Sequence, residues 1–300
     1  VPLIEEFFPR VDLLEVIDTS GAYIPGHGTP TVTLVSRNRA PSAATVRAIL
    51  GIQGEPGAPE DPALGLVWRS IVEHIDAPDQ EDQWLSVTDL ERSNLLTHPW
   101  SLKGGASAHV NSQISGKAEN KLINVVETIG FGAVTREDDV YFLGDAFIRR
   151  NNAKEFSKRV ITGSNLRDWG KPSGIASIWP YDNETLRPTR PRPLMRFLWR
   201  YRRNLSERIA FGKTQLDRGL EWYEYSMFFA KRYQEPMLIS FAQVSTHNHF
   251  VLERSGNIHK DTAPIIKLAP GAGLDEHLEA LGILNSSVAG FWLRTNGHKK

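Results

Sequence analysis

Apolar and polar positions recur with different periods along this chain, and the periods predict its elements. "PLIEEFF" (2–8) reads as the end of a helix that Pro9 breaks. "VDLLEVID" (11–18) is a short, nearly continuous apolar run, as a buried strand requires, and "TPTVTLVSRN" (29–38) predicts a second strand. "GLVWRSIVEHI" (65–75) fits a helix or a strand. "SVTDLERSNLLTHPW" (86–100) sets Ser86 or Thr88 ahead of acidic residues, a helix start, with a stop at Pro99. "NKLINVVETI" (120–129) is amphipathic and predicts a helix, and "GAVTREDDVYFLG" (132–144) predicts a hairpin turning at "REDD". The stretch 235–270 alternates strongly around a Ser-Gly-Asn turn and predicts two or three strands. The clearest helix is 274–294, where Leu274, Leu278, Leu281 and Leu284 recur at helical spacing.

Two segments interrupt this pattern. "GIQGEPGAPEDPALG" (51–65) is rich in Gly and Pro and is the best linker candidate in the sequence, which sets a domain boundary at about residue 55 to 63. "AYIPGHGTPT" (22–31) lies between two predicted strands, yet holds two glycines, two prolines, a histidine and an entering tyrosine. A segment that rigid, polar and aromatic at once needs a reason beyond connection.

Composition narrows the class. Apolar residues make up 40% of the 300, which suits a globular core. No apolar run approaches the roughly eighteen residues of a transmembrane helix, and no signal peptide is visible. The lack of cysteine excludes disulfides and thiolate metal sites and fits a reducing cytoplasm. The chain opens on Val1 and stops soon after an apolar run, so it reads as a piece of a longer protein.

Lys plus Arg equals Asp plus Glu at 35 each, so net charge says nothing of nucleic acid. Its distribution does. Arg187, Arg190, Arg192, Arg196, Arg200, Arg202, Arg203 and Arg208 face one opposing acid, Glu207. Such an arm suits a polyanion, or a solvated helix whose arginine stems pack on the body. "GLEWYEYSMFF" (219–229) follows, with Trp222, Tyr223, Tyr225, Phe228 and Phe229; it fits base stacking or an aromatic core.

Three short motifs carry less. "HNH" (247–249) puts His247 and Asn248 on opposite faces of any strand, and two histidines make half a metal site. "FGKT" (211–214) lacks the first glycine of a phosphate loop, because Glu207 stands there. "ETIGFGAVT" (127–135) holds a lone G-x-G, which reads as a tight turn before it reads as a cofactor loop.

Together, "VIDTSGAYIPGHGTPTVTLVSRNR", "PWSLKGG", "IGFGAVTREDDVYF", "FGKTQLDRGLEWYEY", "STHNHFVLERSGNIHKDTAPIIKL" and "LGILNSSVAGFWL" resemble, in order, landmarks of the large adenine-specific DNA methyltransferases of the Eco and PglX type from BREX phage-exclusion systems. The resemblance implies an α/β fold: the trailing strands of a Rossmann-like methyltransferase domain over 1–55, then a mixed α+β target-recognition domain over 56–300. It implies S-adenosylmethionine as cofactor, no metal, double-stranded DNA as partner, and other phage-defence proteins as possible associates. The class takes its target base out of the stack. Its Asn-Pro-Pro-aromatic motif is absent from this sequence, and its Gly-rich cofactor motif would lie upstream, so no catalytic residue is assigned.

By the same resemblance, the aromatic that covers the flipped adenine falls on Tyr23 or Ile24, with His27 beside them. For DNA, the expected contacts are Arg196, Arg200, Arg202 and Arg203 on phosphates. Lys213, Gln215, Trp222, Tyr223, Tyr225, His247, Asn248 and Arg254 are expected in the grooves. Asn285 and Ser286 form a polar notch that touches DNA or caps a neighbour. The competing readings are a DNA-binding module without chemistry, part of a fused restriction enzyme, and a carbohydrate-binding or interaction domain.

Overall fold

Leu13, Val16 and Ile17 point their side chains into two different apolar layers, and that arrangement builds the first sheet. A computed structural model describes residues 2–98, 100–167, 170, 174–233 and 237–296. Strand β1 (Asp12–Asp18) pairs antiparallel with β2 (Val32–Arg37) and parallel with β3 (Thr45–Gly51). Helix α1 (Leu66–His74) follows, and then β4 (Leu85–Glu91) pairs antiparallel along the whole of β3. The sheet order is β2-β1-β3-β4. One face packs Ile17, Ile49, Leu85 and Val87 against Val67 and Ile71 of α1. The other packs Leu13, Val16 and Val46 against Leu95, with Trp100 and Leu102 alongside. Each such buried aliphatic side chain contributes about 1.5–3 kcal/mol. At the start of β1, the buried Asp12 carboxylate accepts from Ser42 Oγ at 2.8 Å, Arg39 Nε at 3.0 Å and Arg92 Nη2 at 3.2 Å.

The chain forms two compact units, Val1–Glu119 with Phe291–Lys300, and Asn120–Gly290. The Gly/Pro-rich stretch at 51–65 lies inside the first unit, because β3 and β4 on either side of it are paired strand to strand. The geometric division falls at 119/120. Helix α2 (Ala106–Lys117) closes that part of the chain.

In the second unit, β5 (Val126–Gly130) leads to β6 (Ala133–Val134), α3 (Asp138–Tyr141), α4 (Asp145–Arg150), β7 (Ser157–Ile161) and β8 (Ile175–Ile178). Then come α5 (Arg192–Leu198), α6 (Arg202–Glu207), the hairpin β9 (Ile209–Ala210) and β10 (Lys213–Thr214), and β11 (Met227–Phe228). The last elements are β12 (Leu238–Phe241), β13 (Phe250–Glu253), β14 (Ile258–His259), β15 (Ile265–Leu268), α7 (Leu274–Leu284) and α8 (Ser287–Asn296). One sheet runs β13-β12-β15-β5 and another β14-β7-β8. The largest core cluster is aromatic: Tyr141, Trp179, Tyr181, Tyr223 and Tyr225, with Leu194, Leu198 and Leu205 of the arginine-rich helices.

Four expected elements differ. The helix over 86–99 is the strand β4, followed by a short 3₁₀ turn at Arg92–Leu95; its expected stop, Pro99, lies outside the described residues. Period 2 wins there, since Leu85 and Val87 are buried while Asp89 ion-pairs across the strands with Arg47 at 2.6 Å. The helix over 120–129 is β5, taken up by β15. The "REDD" hairpin is instead the entry to α3, with Asp138 and Asp139 in its first turn, where acids favour a helix start. The long last helix is two, broken at Asn285. The Asn285 amide leaves the helix to bond Phe250 of β13 on both sides, accepting from its N–H at 3.0 Å and donating to its C=O at 2.9 Å.

Candidate DNA-binding site

Asp18 ends β1 and Gly51 ends β3, so the carboxyl ends of the two parallel strands stand side by side. Open α/β sheets bind ligands at such ends. A cavity of about 660 Å³ sits there, walled by Asp18, Ser20, Pro30, Gly51, Trp100 and Lys103 among others. A Cβ on Gly51 would lie 2.7 Å from Asp18 Oδ2, so glycine is what lets the carboxylate occupy this corner. Asp18 is buried, with Lys103 Nζ 3.8 Å away. The "LKGG" run lies along the end of β3: Gly51 N–H donates to Leu102 O at 3.2 Å and Gly104 N–H to Gly51 O at 3.1 Å. Residues Asp18, Lys103 and Trp100 were not anticipated from sequence. The parallel pairing that joins them links segments dozens of residues apart.

The loop from Thr19 to Thr31 rises from this cavity. Its base is clamped by Thr19 N–H on Thr31 O at 3.1 Å and by the two threonine hydroxyls at 2.8 Å. Glu55 N–H donates to Gly21 O at 2.8 Å. At the tip, Gly26 adopts φ 70°, His27 N–H donates to Ile24 O at 3.1 Å, and the His27 ring accepts from Thr29 N–H at 3.3 Å. The two ends of the loop line the cavity, whereas Tyr23, Ile24 and His27 do not. All three are exposed, Tyr23 to 38% and Ile24 to 37%.

The second unit sorts its expected contacts into two groups. Arg196, Arg200 and Arg202 are exposed on the arm. Arg200 lies over the Phe197 and Tyr201 rings, and Arg202 over Trp199 at 4.9 Å. Arg203 is exposed and paired with Glu207 at 3.0 Å. Lys213, His247 and Arg254 are exposed, and Trp222 is half-buried. Tyr223, Tyr225 and Gln215 lie in the core. Tyr225 donates to Ile178 O, and burial pushes its phenol pKa far up, so it stays a neutral hydroxyl. Gln215 Nε2 donates to the carbonyls of Glu221, Glu224 and Tyr225 at 3.2–3.4 Å. Its Oε1 is buried without a partner, but with the amide group enclosed and its Nε2 engaged the side chain is unavailable to a groove. Asn248 is likewise spent, capping α7 through Leu284 O at 2.7 Å and Ser286 O at 3.1 Å.

Arg208, the last of the arm, is also inside. Its guanidinium donates to the carbonyls of Leu205, Thr135, Trp222 and Glu224. The "HNH" run precedes β13 as a loop instead of lying on a strand, and no cluster of three metal-ligating side chains occurs among the described residues. The "FGKT" run is the turn of the β9–β10 hairpin, with Phe211 at φ 53° and Gly212 at φ 73°. Two positive φ values make a type I′ turn, whose usual occupants are Asn, Asp and Gly. A phenylalanine in that conformation costs about 1–2 kcal/mol.

The G-x-G at 130–132 does not form a turn for S-adenosylmethionine. Gly130 and Gly132 admit Arg232 and Tyr233 against the backbone: a Cβ on Gly130 would lie 2.8 Å from Arg232 Nη2, and one on Gly132 would overlap the Tyr233 hydroxyl. They are packing glycines, not a cofactor turn. No helix among the described residues is long and apolar enough to cross a membrane.

No protein-family profile matches the chain. Over 99% of its length it is 42% identical to "Adenine-specific methyltransferase PglX" of Streptomyces coelicolor. The chain is homologous to one region of PglX. It spans about a quarter of the length of that relative, 25%. Its fold is similar to that of the type IIL restriction-modification enzyme MmeI, solved in complex with DNA, with a TM-score of 0.51 at 8% identity over 97% of this chain and 33% of that one. The mixed α/β class expected from the PglX resemblance is the class observed.

Proposed function

We propose that this chain is the DNA-recognition region of a site-specific DNA adenine-N6 methyltransferase and supplies one wall of its target-base pocket. The 42% identity with PglX over 99% of the chain carries this reading. The first sheet belongs to the methyltransferase domain, and the loop above β1 leans over the adenine through Tyr23 or Ile24, with His27 at the turn. The exposed arm arginines Arg196, Arg200 and Arg202, with Lys213, His247 and Arg254, meet double-stranded DNA. S-adenosylmethionine and the Asn-Pro-Pro-aromatic motif reside in a preceding half of the whole enzyme, and this chain alone transfers no methyl group. Other phage-defence proteins are further partners of that enzyme.

The expected result is duplex binding by the chain alone with a steep loss of affinity in salt, and methyl transfer to adenine only once the preceding half is restored. Methyl transfer by the chain alone, or no binding to duplex DNA, would refute the proposal. In the restored enzyme, Tyr23→Ala should slow methylation about tenfold through lost stacking on the extruded base. An unchanged rate with unchanged 2-aminopurine fluorescence would remove Tyr23 from the pocket.

A further inference from the structure

The hairpin at 209–214 has a feature the arm does not explain. Phe211 stands at its tip with 86% of its surface exposed. Ile209 and Leu216 flank it, exposed to 57% and 53%. An exposed aromatic gains nothing from burial, and this one also holds a left-handed backbone conformation that L-residues rarely adopt. Strain of this kind persists where the surroundings enforce it, and it concentrates at functional positions.

The surroundings do enforce it. Just before β9, Arg208 is locked by four backbone carbonyls. Just after β10, Gln215 is locked by three. Both anchors are buried, so the hairpin stands on a fixed base with its tip in solvent. Arg136 Nη1 donates to Ile209 O at 2.6 Å, which fixes one cation beside β9, and Lys213 is exposed on the other strand. The acid on the hairpin's far side, Asp217, is occupied by Thr214 at 2.6 Å.

We propose that Phe211 is an apolar wedge that inserts between stacked base pairs of double-stranded DNA, with Arg136 and Lys213 on the flanking phosphates. Minor-groove and DNA-deforming proteins use side chains of this type in this way. The proposal rests on the DNA-recognition reading above. A rigid, pre-strained ribbon tip is suited to it, since the unstacking must be driven by a side chain that cannot fold away.

The test uses the 300-residue chain, a mixed-sequence duplex followed by fluorescence anisotropy, and topoisomerase relaxation of plasmid DNA to read unwinding. Phe211→Asn suits the turn better than phenylalanine and removes the ring, so its thermal midpoint should equal or exceed the wild type's. It should bind about tenfold more weakly, abolish unwinding, and leave the salt slope unchanged, because the phosphate contacts stay. Phe211→Trp should restore both binding and unwinding. Wild-type affinity and unwinding in Phe211→Asn would overturn the wedge and leave the DNA-recognition reading standing. So would a changed sedimentation coefficient of the free chain, which would mark the tip as a contact between copies. No duplex binding by the wild-type chain would overturn both.

Discussion

In the first unit the buried side chains are mainly aliphatic: Val16, Ala48 and Ile49 are stacked along paired strands and need no particular orientation. In the second unit the centre is Tyr141, Trp179, Tyr181, Tyr223 and Tyr225, where rings meet edge-on or tilted and each tyrosine hydroxyl needs a partner. Tyr141 OH donates to Tyr223 O at 2.9 Å, and Tyr181 OH accepts from Tyr225 N–H at 3.0 Å. An aliphatic layer tolerates repacking at fixed volume, whereas a polar network fails when one member goes. The second unit should therefore be the more brittle of the two.

The largest expected effect follows from Arg208. Arg208→Met keeps much of the volume but takes the guanidinium from four carbonyls, of which Glu224 O keeps other donors, Tyr141 OH and Gln215 Nε2. It should cost the second unit about 3 kcal/mol or more. Hydrogen exchange read by mass spectrometry should show amides of 120–290 losing protection while those of β1, β3 and β4 keep theirs. Equal loss in both units would mean they unfold as one, and the contrast would collapse.

Acid should separate the units in a second way. His259 is buried with its Nδ1 on Ser240 Oγ at 2.9 Å, and burial lowers its pKa from 6.5 to about 4 against the opposing pull of Glu253. Because the unfolded chain binds that proton more readily, its contribution is complete above 6.5 and is lost as pH falls toward 4. In the first unit, the hydrogen bond from Ser42, with Arg39, holds the Asp12 carboxyl down at about 2. That contribution is complete above 3.8 and lost only as pH falls toward 2. Urea titrations at falling pH should show the second unit weakening first, and His259→Phe should flatten its response. A first unit that weakens before the second would reverse the assignment.

The smallest effect should come from the exposed pair of Arg203 and Glu207. Arg203→Ala should change stability by no more than about 0.5 kcal/mol, while lowering the salt slope of DNA binding.

The same contrast explains what could be read from sequence. In β1 and β2, runs of β-branched and aliphatic residues are bounded by turn residues, so local pattern suffices; after 237 the alternation predicts two or three strands and four form, the extra one being the two-residue Ile258–His259. In β4 it does not. Ser86 and Thr88 before acids imitate a helix cap, and the deciding fact is β3 lying some forty positions upstream. The aromatic run at 222–225 misleads for another reason. Its hydroxyls suggest exposure, but inside the core Tyr225 OH donates to Ile178 O and Tyr223 OH accepts from Arg190 Nε at 3.3 Å. Phe211 shows the converse: "FGKT" resembles the end of a phosphate loop, and only the positive φ of Phe211 and Gly212 reveals a hairpin tip. The opening loop was legible as rigid, and its clamp at Thr19 and Thr31 is the cause. That Tyr23 lies outside the cavity wall was not legible.

Strand β2 has a practical consequence. It stands at the end of its sheet, and among the described residues no strand pairs with its outer side. Val32 and Val35 are exposed there to 43% and 37%. A bare row of backbone donors and acceptors beside valines is a template for another chain. Purified on its own, this polypeptide should show light scattering that climbs with concentration. Val35→Lys should suppress that growth without disturbing the sheet, which makes it a useful starting point for crystallisation.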